Sequence, residues 1–144
     1  MNFLSPLARV EKKKRQASVD VARESYESVL VIRSKVMPTV TYAIKRVSFG
    51  RRMDLSRRAR EISRKAEFLE ASSQLGEKIE AGILTQEIDT MYLVWGLLNI
   101  QGLTIDGEAA TADRLLEKGP DELTREVVDA IKAQCGLSDV ERKN

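Results

Sequence analysis

The sequence predicts a mainly α-helical protein with a small β element, an α+β fold. Long segments carry apolar residues at helical spacing, whereas only short segments near Tyr42 and Asp106 have the patterns of strands and a tight turn. Aromatic residues make up 5% of the chain and charged residues 32%. Because strands usually draw on aromatic and β-branched residues, this composition favours helices packed on helices. A chain of 144 residues has the length of one ordinary domain.

The N-terminal region carries the first helical pattern. From Val10 to Val36, apolar residues recur near helical spacing with charged residues between them, which predicts one long amphipathic helix. Pro38 ends it, because proline lacks an N–H and disfavours a helical conformation at the residue before it. We therefore divide the chain into an N-terminal amphipathic helix or leader, 1–37, and a compact helical domain, 38–144.

A strand is predicted over Thr39–Val47, where the apolar period changes to two. Its apolar face is short, so it needs a second strand or a covering helix. Asp106-Gly107 lies between two short segments and predicts a small hairpin with a type I′ turn. One arm of this hairpin is a candidate partner for the strand near Tyr42.

Two long helices are predicted between these β elements. The first begins at the cap residue Ser48 and has apolar residues at steps of four and three: Leu55, Ala59, Ile62, Ala66 and Leu69. The second has the same rhythm and more apolar neighbours, which indicates deeper burial: Leu84, Ile88, Met91, Trp95 and Leu98. The short polar link between them predicts an antiparallel helical hairpin.

Shorter helices are predicted in the C-terminal third. Thr111 caps one that runs through Lys118, and after Pro120 a second one runs to about Cys135. Ser138 to Glu141 has the spacing of a capping box, although few residues follow it. This last helix start is either a single docked turn or a segment that becomes ordered with a partner.

The charge of the chain is divided between its halves. Residues 1–70 hold 17 Lys and Arg against 8 Asp and Glu, and residues 71–144 hold 7 against 14. Such asymmetry points either to an acidic partner or nucleic acid on the basic side, or to halves that face each other within one molecule or across a homo-oligomer. In the helical hairpin, we expect acidic residues of the second helix to approach basic residues of the first: Glu77, Glu80, Glu87 and Asp89.

The residue inventory argues against catalysis. The chain has no histidine and one cysteine, Cys135, which excludes Ser-His-Asp and Cys-His arrangements and the common zinc sites. The glycines are scattered as turn and cap residues and form no phosphate-binding loop. We therefore expect that the protein is not an enzyme and has neither a cofactor nor a metal site. We expect Cys135 to be a small packing residue.

Location follows from the same inventory. No opening segment combines a basic start, an apolar run and a cleavage site, and the most apolar stretch falls short of a membrane span. A lone cysteine fits a reducing compartment. We expect a cytoplasmic protein that has no membrane partner.

An arginine-rich helix and an aromatic pair are the candidate binding residues. Arginine and aromatic side chains dominate binding hot spots at protein interfaces, and guanidinium groups also bind phosphate oxygens. No aromatic residues are interleaved for base stacking, which favours a protein partner and leaves nucleic acid as the alternative. The candidate partner-binding residues are Arg51, Arg52, Arg57, Arg58, Arg60, Arg64, Tyr92 and Trp95.

The chain from about residue 39 to 144 resembles the tail assembly chaperones of bacteriophages and prophages. The matching residues are Arg46 to Arg52 after the strand, Glu67-Phe68-Leu69, Tyr92 to Gly96, Ile105-Asp106-Gly107, Gly136-Leu137-Ser138 and Glu141 to Asn144. Members of that family are small, helix-rich and non-enzymatic, and they keep the long tape-measure protein soluble while the tail tube forms. The resemblance implies a chaperone or adaptor that binds a long helical client in virion assembly, in the host cytoplasm if phage-encoded. The alternative is a small nucleic-acid-binding protein that uses the arginine-rich helix at residues 51–65.

Overall fold

The computed structural model describes residues 22–136. Its elements in chain order are β1 (Val29–Arg33), β2 (Thr41–Lys45), α1 (Phe49–Glu70), α2 (Leu75–Gly96), β3 (Leu97–Gln101), β4 (Thr104–Ile105), β5 (Glu108–Ala109), α3 (Ala112–Lys118) and α4 (Asp121–Gln134). Helices dominate, and a three-stranded antiparallel sheet and a two-stranded hairpin form the β part. The predicted α+β class is confirmed.

The first strand corrects the predicted N-terminal helix. β1 pairs antiparallel with β2, with Leu30 opposite Ile44 and Ile32 opposite Tyr42. The interpretation of residues 10–36 as one helix is therefore wrong for all of the described part, 22–36, which contains no helix. In 29–33, β-branched and aliphatic side chains alternate between a half-buried and an exposed face. Residues 10–21 of that prediction lie outside the described residues. β1 thus belongs to the sheet, although it falls within the predicted leader.

The predicted strand over Thr39–Val47 is confirmed by β2, the central strand of the sheet. Its second neighbour is β3, with Tyr42 opposite Ile100, and not an arm of the Asp106-Gly107 hairpin. The arms of that hairpin, β4 and β5, pair with each other. Asp106 and Gly107 have φ of 50° and 80°, and these two positive values agree with the predicted type I′ turn.

The helical hairpin is formed by α1 and α2, which are joined by residues 71–74 and pack along each other. The predicted apolar stripe of α1 is confirmed, since its five residues from Leu55 to Leu69 are buried or half-buried. Ser48 caps α1 through a hydrogen bond that its Oγ accepts from the Arg51 N–H at 3.2 Å. The stripe of α2 stops earlier than predicted, because α2 ends at Gly96 and Leu98 lies in β3, which pairs with β2.

The core lies where the sheet meets α4 and the C-terminal half of α2. Its largest fully buried residues are Val40, Tyr42, Ile44, Leu55, Tyr92, Leu93, Leu123, Val127 and Ile131. The base of the helical hairpin, formed by the start of α1 and the end of α2, is anchored at this core. The opposite end of the hairpin, around residues 64–84, extends away from the core and is called the hairpin tip below.

Two buried tyrosines carry raised pKa values. Burial, and then the negative charge of Glu126, raises the pKa of Tyr42 to about 12. Burial, and then the nearby Cys135 thiol, raises the pKa of Tyr92 to about 12. The Glu126 carboxylate is held in place, because its Oε1 accepts hydrogen bonds from the N–H groups of Lys35 at 2.6 Å and Val36 at 3.2 Å.

These pKa values predict a loss of stability at alkaline pH. In the unfolded chain a tyrosine ionises near pH 10, whereas the folded chain keeps both protons to about pH 12. The stabilisation is therefore complete below pH 10 and is lost as the pH rises to 12. We expect the free energy of unfolding in urea to fall between about pH 10 and 12, and to fall less for Tyr42→Phe and Tyr92→Phe. Variants that lose stability as steeply as the parent chain would contradict this prediction.

Candidate protein-binding surface

The six candidate arginines all lie on α1 and are exposed. Arg51 Nη1 forms an ion pair with Asp54 Oδ2 at 3.2 Å. Arg52 lies beside the end of α4, where a Cβ added to Gly136 would be 3.9 Å from its Cζ. Within residues 22–136, the other four candidate arginines form no ion pair: Arg57, Arg58, Arg60 and Arg64.

The opposite charges of the two long helices are not joined as predicted. Within the described part of the chain, no ion pair within 4.0 Å connects α1 with α2. Asp89 instead forms an ion pair with the buried Lys132 of α4. The carboxylate faces away from α1 because α4 packs on this part of α2. Among residues 22–136, the basic charge of α1 is therefore not paired with the acidic charge of α2.

The aromatic pair differs from the candidate arginines in its burial. Tyr92 is 2% exposed and belongs to the core, so it offers no surface to a partner. Trp95 is half-buried at the base of the hairpin, and Lys45 Nζ lies 5.8 Å from its ring centroid. The two aromatic residues therefore contribute mainly to packing between the sheet, α2 and α4.

The hairpin tip exposes large apolar side chains that the sequence analysis did not single out. Phe68 of α1 is 80% exposed, and Leu75, Ile79 and Ile83 of α2 are 73%, 56% and 47% exposed. The three α2 residues are four positions apart and form one stripe. Ala81, which lies roughly opposite Ile79 and Ile83 on the helix, is buried. The stripe therefore faces away from α1.

One sequence signal could have revealed this stripe. The apolar residues of α2 occupy two faces, one at Leu84 and Ile88 and one at Leu75, Ile79 and Ile83. A helix that is apolar on more than one face needs more than one packing partner. In the described residues α1 covers only one of these faces at the tip.

A groove of about 590 Å³ lies between α1 and α2 at the hairpin tip. Its lining residues are Arg64, Lys65, Phe68, Leu69, Glu80 and Leu84. Leu69 and Leu84 are half-buried and form an apolar floor, while the charged residues are exposed along the edges. A groove with an apolar floor, an exposed aromatic ring and charged edges is better suited to an amphipathic peptide segment than to a small polar ligand.

A second, larger cavity of about 810 Å³ lies between α2, α3 and α4. Two ion pairs line it, one between Lys132 and Asp89 and one between Arg125 Nε and Asp121 Oδ2 at 2.9 Å. Lys132 Nζ also lies 5.9 Å from the centroid of the Tyr92 ring. Most charged side chains of this cavity are already paired with each other. It therefore offers fewer unpaired charged groups to a ligand than the groove at the tip does.

The remaining candidate features are Cys135, metal ligands and membrane-spanning helices. Cys135 is buried, as expected for a packing residue, and burial raises the pKa of its thiol while the charge of Arg52 opposes that rise. Among residues 22–136, no three or more Cys, Asp or Glu side chains come together as candidate metal ligands. None of the helices in this part of the chain is long and apolar enough to cross a membrane.

Comparisons of the chain with protein-family models, with characterised proteins and with solved structures found no match. Inferences about function therefore draw on the surfaces of this chain.

Proposed function

We propose that this chain is a non-enzymatic, cytoplasmic binding protein that docks a long helical client at the hairpin tip. The observation that carries the proposal is the cluster of exposed apolar residues there: Phe68, Leu75, Ile79 and Ile83. Single exposed apolar residues are common on proteins, but four of them at one end of a helical hairpin favour an interaction site there. The resemblance to phage tail assembly chaperones suggests a tape-measure protein as the client.

The geometry of the hairpin supports a helical client. Each long helix has 22 residues and so spans about 33 Å, which gives an amphipathic helix several turns of contact. Burying one exposed Phe or Ile side chain contributes about 1.5–3 kcal/mol of apolar transfer energy. The exposed Arg64, which lines the groove together with Phe68, would then lie beside this apolar centre, as arginines commonly do at protein interfaces.

The test is co-expression with a phage tape-measure protein, measuring the fraction of that protein that stays soluble. We expect the full chain to raise the soluble fraction, and Phe68→Asp to abolish the effect because it places a charge in the apolar surface. Phe49→Asp is the matched control, since Phe49 is equally exposed but lies at the base of α1. Equal loss with both variants, or none with either, would contradict docking at the tip.

Nucleic-acid binding is a second candidate, and it is favoured by the four α1 arginines that form no ion pair within residues 22–136. Four guanidinium groups on one helix could each neutralise a phosphate and release counterions. This function predicts that affinity for duplex DNA falls steeply with salt, with a slope that decreases by about 0.9 for each phosphate contact removed. Changing Arg57, Arg58, Arg60 and Arg64 to Glu would then abolish binding, whereas Phe68→Asp would leave it unchanged. Salt-independent or absent binding would exclude it.

A further inference from the structure

The two edges of the groove at the hairpin tip carry opposite charges. Arg64 and Lys65 form the α1 edge, and Glu80 forms the α2 edge. Glu77 and Glu87 are three residues before and seven after Glu80, so they fall on the same side of α2 and extend its acidic edge. Among the residues that line the groove, those on the α1 edge are therefore basic and the one on the α2 edge is acidic.

These charges form no direct ion pair with each other in the described residues. Within residues 22–136, Arg64, Lys65 and Glu80 form no ion pair within 4.0 Å, although all three line one groove. Between them lie the apolar side chains of Leu69 and Leu84. Charges separated by an apolar floor can each be matched by a ligand that is apolar in the middle and charged along both sides.

We infer the chemistry of the client, which deepens the proposed function and rests on it. The client segment is an amphipathic helix whose apolar stripe is bordered by acidic residues on one edge and basic residues on the other. It lies along the groove with its acidic edge beside Arg64 and Lys65 and its basic edge beside Glu80. In this position the client helix packs against both α1 and α2 and covers Phe68.

The groove itself favours such a helix over nucleic acid. Phosphates would meet the carboxylates of Glu80 and Glu87 along the α2 edge, and they would leave the floor at Leu69 and Leu84 without an apolar partner. A helix with two acidic edges would face the same repulsion from α2. A helix with two basic edges would be repelled by α1.

The test uses three synthetic 21-residue helical peptides with the same apolar positions and different edge residues. One peptide has an acidic and a basic edge, one has two acidic edges and one has two basic edges. Binding to the full chain is measured by fluorescence anisotropy at low salt. We expect the mixed-edge peptide to bind about threefold to tenfold more tightly than the others, as expected for two or three exposed ion pairs.

Charge reversals on the chain should switch this preference. With Arg64→Glu and Lys65→Glu both edges become acidic, and the peptide with two basic edges should bind best. With Glu80→Lys and Glu87→Lys both edges become basic, and the peptide with two acidic edges should bind best. Arg60→Glu is the control, because Arg60 is exposed on α1 but does not line the groove.

Several outcomes would overturn this inference. Equal binding of all three peptides, unaffected by the reversals, would mean that apolar contact alone docks the client, and the proposed function would stand. Absence of binding would also overturn it, and the Phe68→Asp co-expression test would decide the proposed function separately. A dimer seen by sedimentation that excludes the peptides and becomes monomeric with Phe68→Asp would place a second copy in the groove. Displacement of a bound peptide by duplex DNA would favour nucleic acid.

Discussion

Replacing Gly102 with alanine is expected to lower the free energy of unfolding by about 3 kcal/mol or more, near the upper end for single substitutions. Gly102 has φ of 86°, in the left-handed region that side chains disfavour. An added Cβ would also overlap the carbonyl oxygen of Thr39, which belongs to the backbone leading into β2. Since neither backbone segment can move without disturbing the sheet, both costs apply together.

Gly107→Ala is the matched control for this prediction. Gly107 has nearly the same φ, 80°, but nothing lies within 4 Å of an added Cβ. Gly107→Ala should lower the free energy of unfolding only by the conformational cost of a positive φ, about 1–2 kcal/mol. Urea denaturation followed by circular dichroism measures both values, and equal losses for the two variants would show that the contact with Thr39 costs nothing.

Ile131→Ala is expected to cost about 2–5 kcal/mol, because it removes three carbons from a fully buried position and leaves a cavity. Ile131 of α4 packs directly against the end of α2, where a Cβ added to Gly96 would lie 2.7 Å from Ile131 Cγ2. The control is Ile83→Ala, which shortens an exposed isoleucine at the hairpin tip. It should change the free energy of unfolding by about 0.5 kcal/mol or less.

A double-mutant cycle tests the contact between Gly96 and Ile131. Gly96→Ala alone should destabilise the protein because the new methyl group meets the Ile131 side chain. In the Ile131→Ala background the same methyl group enters vacated space, so its cost should shrink or change sign. Additive effects of the two substitutions would show that the helices do not meet in this way.

The helical hairpin of α1 and α2 and the tight turn between β4 and β5 were predictable from the sequence because their determinants are local. The apolar stripe of α1, the cap at Ser48 and the turn at Asp106-Gly107 each depend on residues within four positions of one another. The strand β1 was missed because its five residues become a strand only by pairing with β2. A short run of aliphatic residues fits a helix or a strand equally well until its neighbour is known.

The candidate surface was predictable only in part. Exposure of the arginines on α1 follows from their charge, since an unpaired arginine is rarely buried. The exposure of Phe68 and Ile79 was not predicted, because apolar residues at helical spacing ordinarily lie in a core. The second apolar face of α2 is the sequence signal that points to the exposure of Ile79. The exposure of both residues follows from the length of the hairpin, which extends beyond the sheet and α4.

By itself, the sequence determined which segments become long helices, where they are capped and where the tight turn forms. These choices depend on backbone hydrogen bonds and side chains a few residues apart. Only the tertiary structure decided that residues 29–33 and 97–101 flank β2, that Tyr92 is buried and that the rest of the described chain, 22–136, does not cover the hairpin tip. Each of these features depends on contacts between segments far apart in the chain. The stabilising free energy of such contacts arises only once the segments meet.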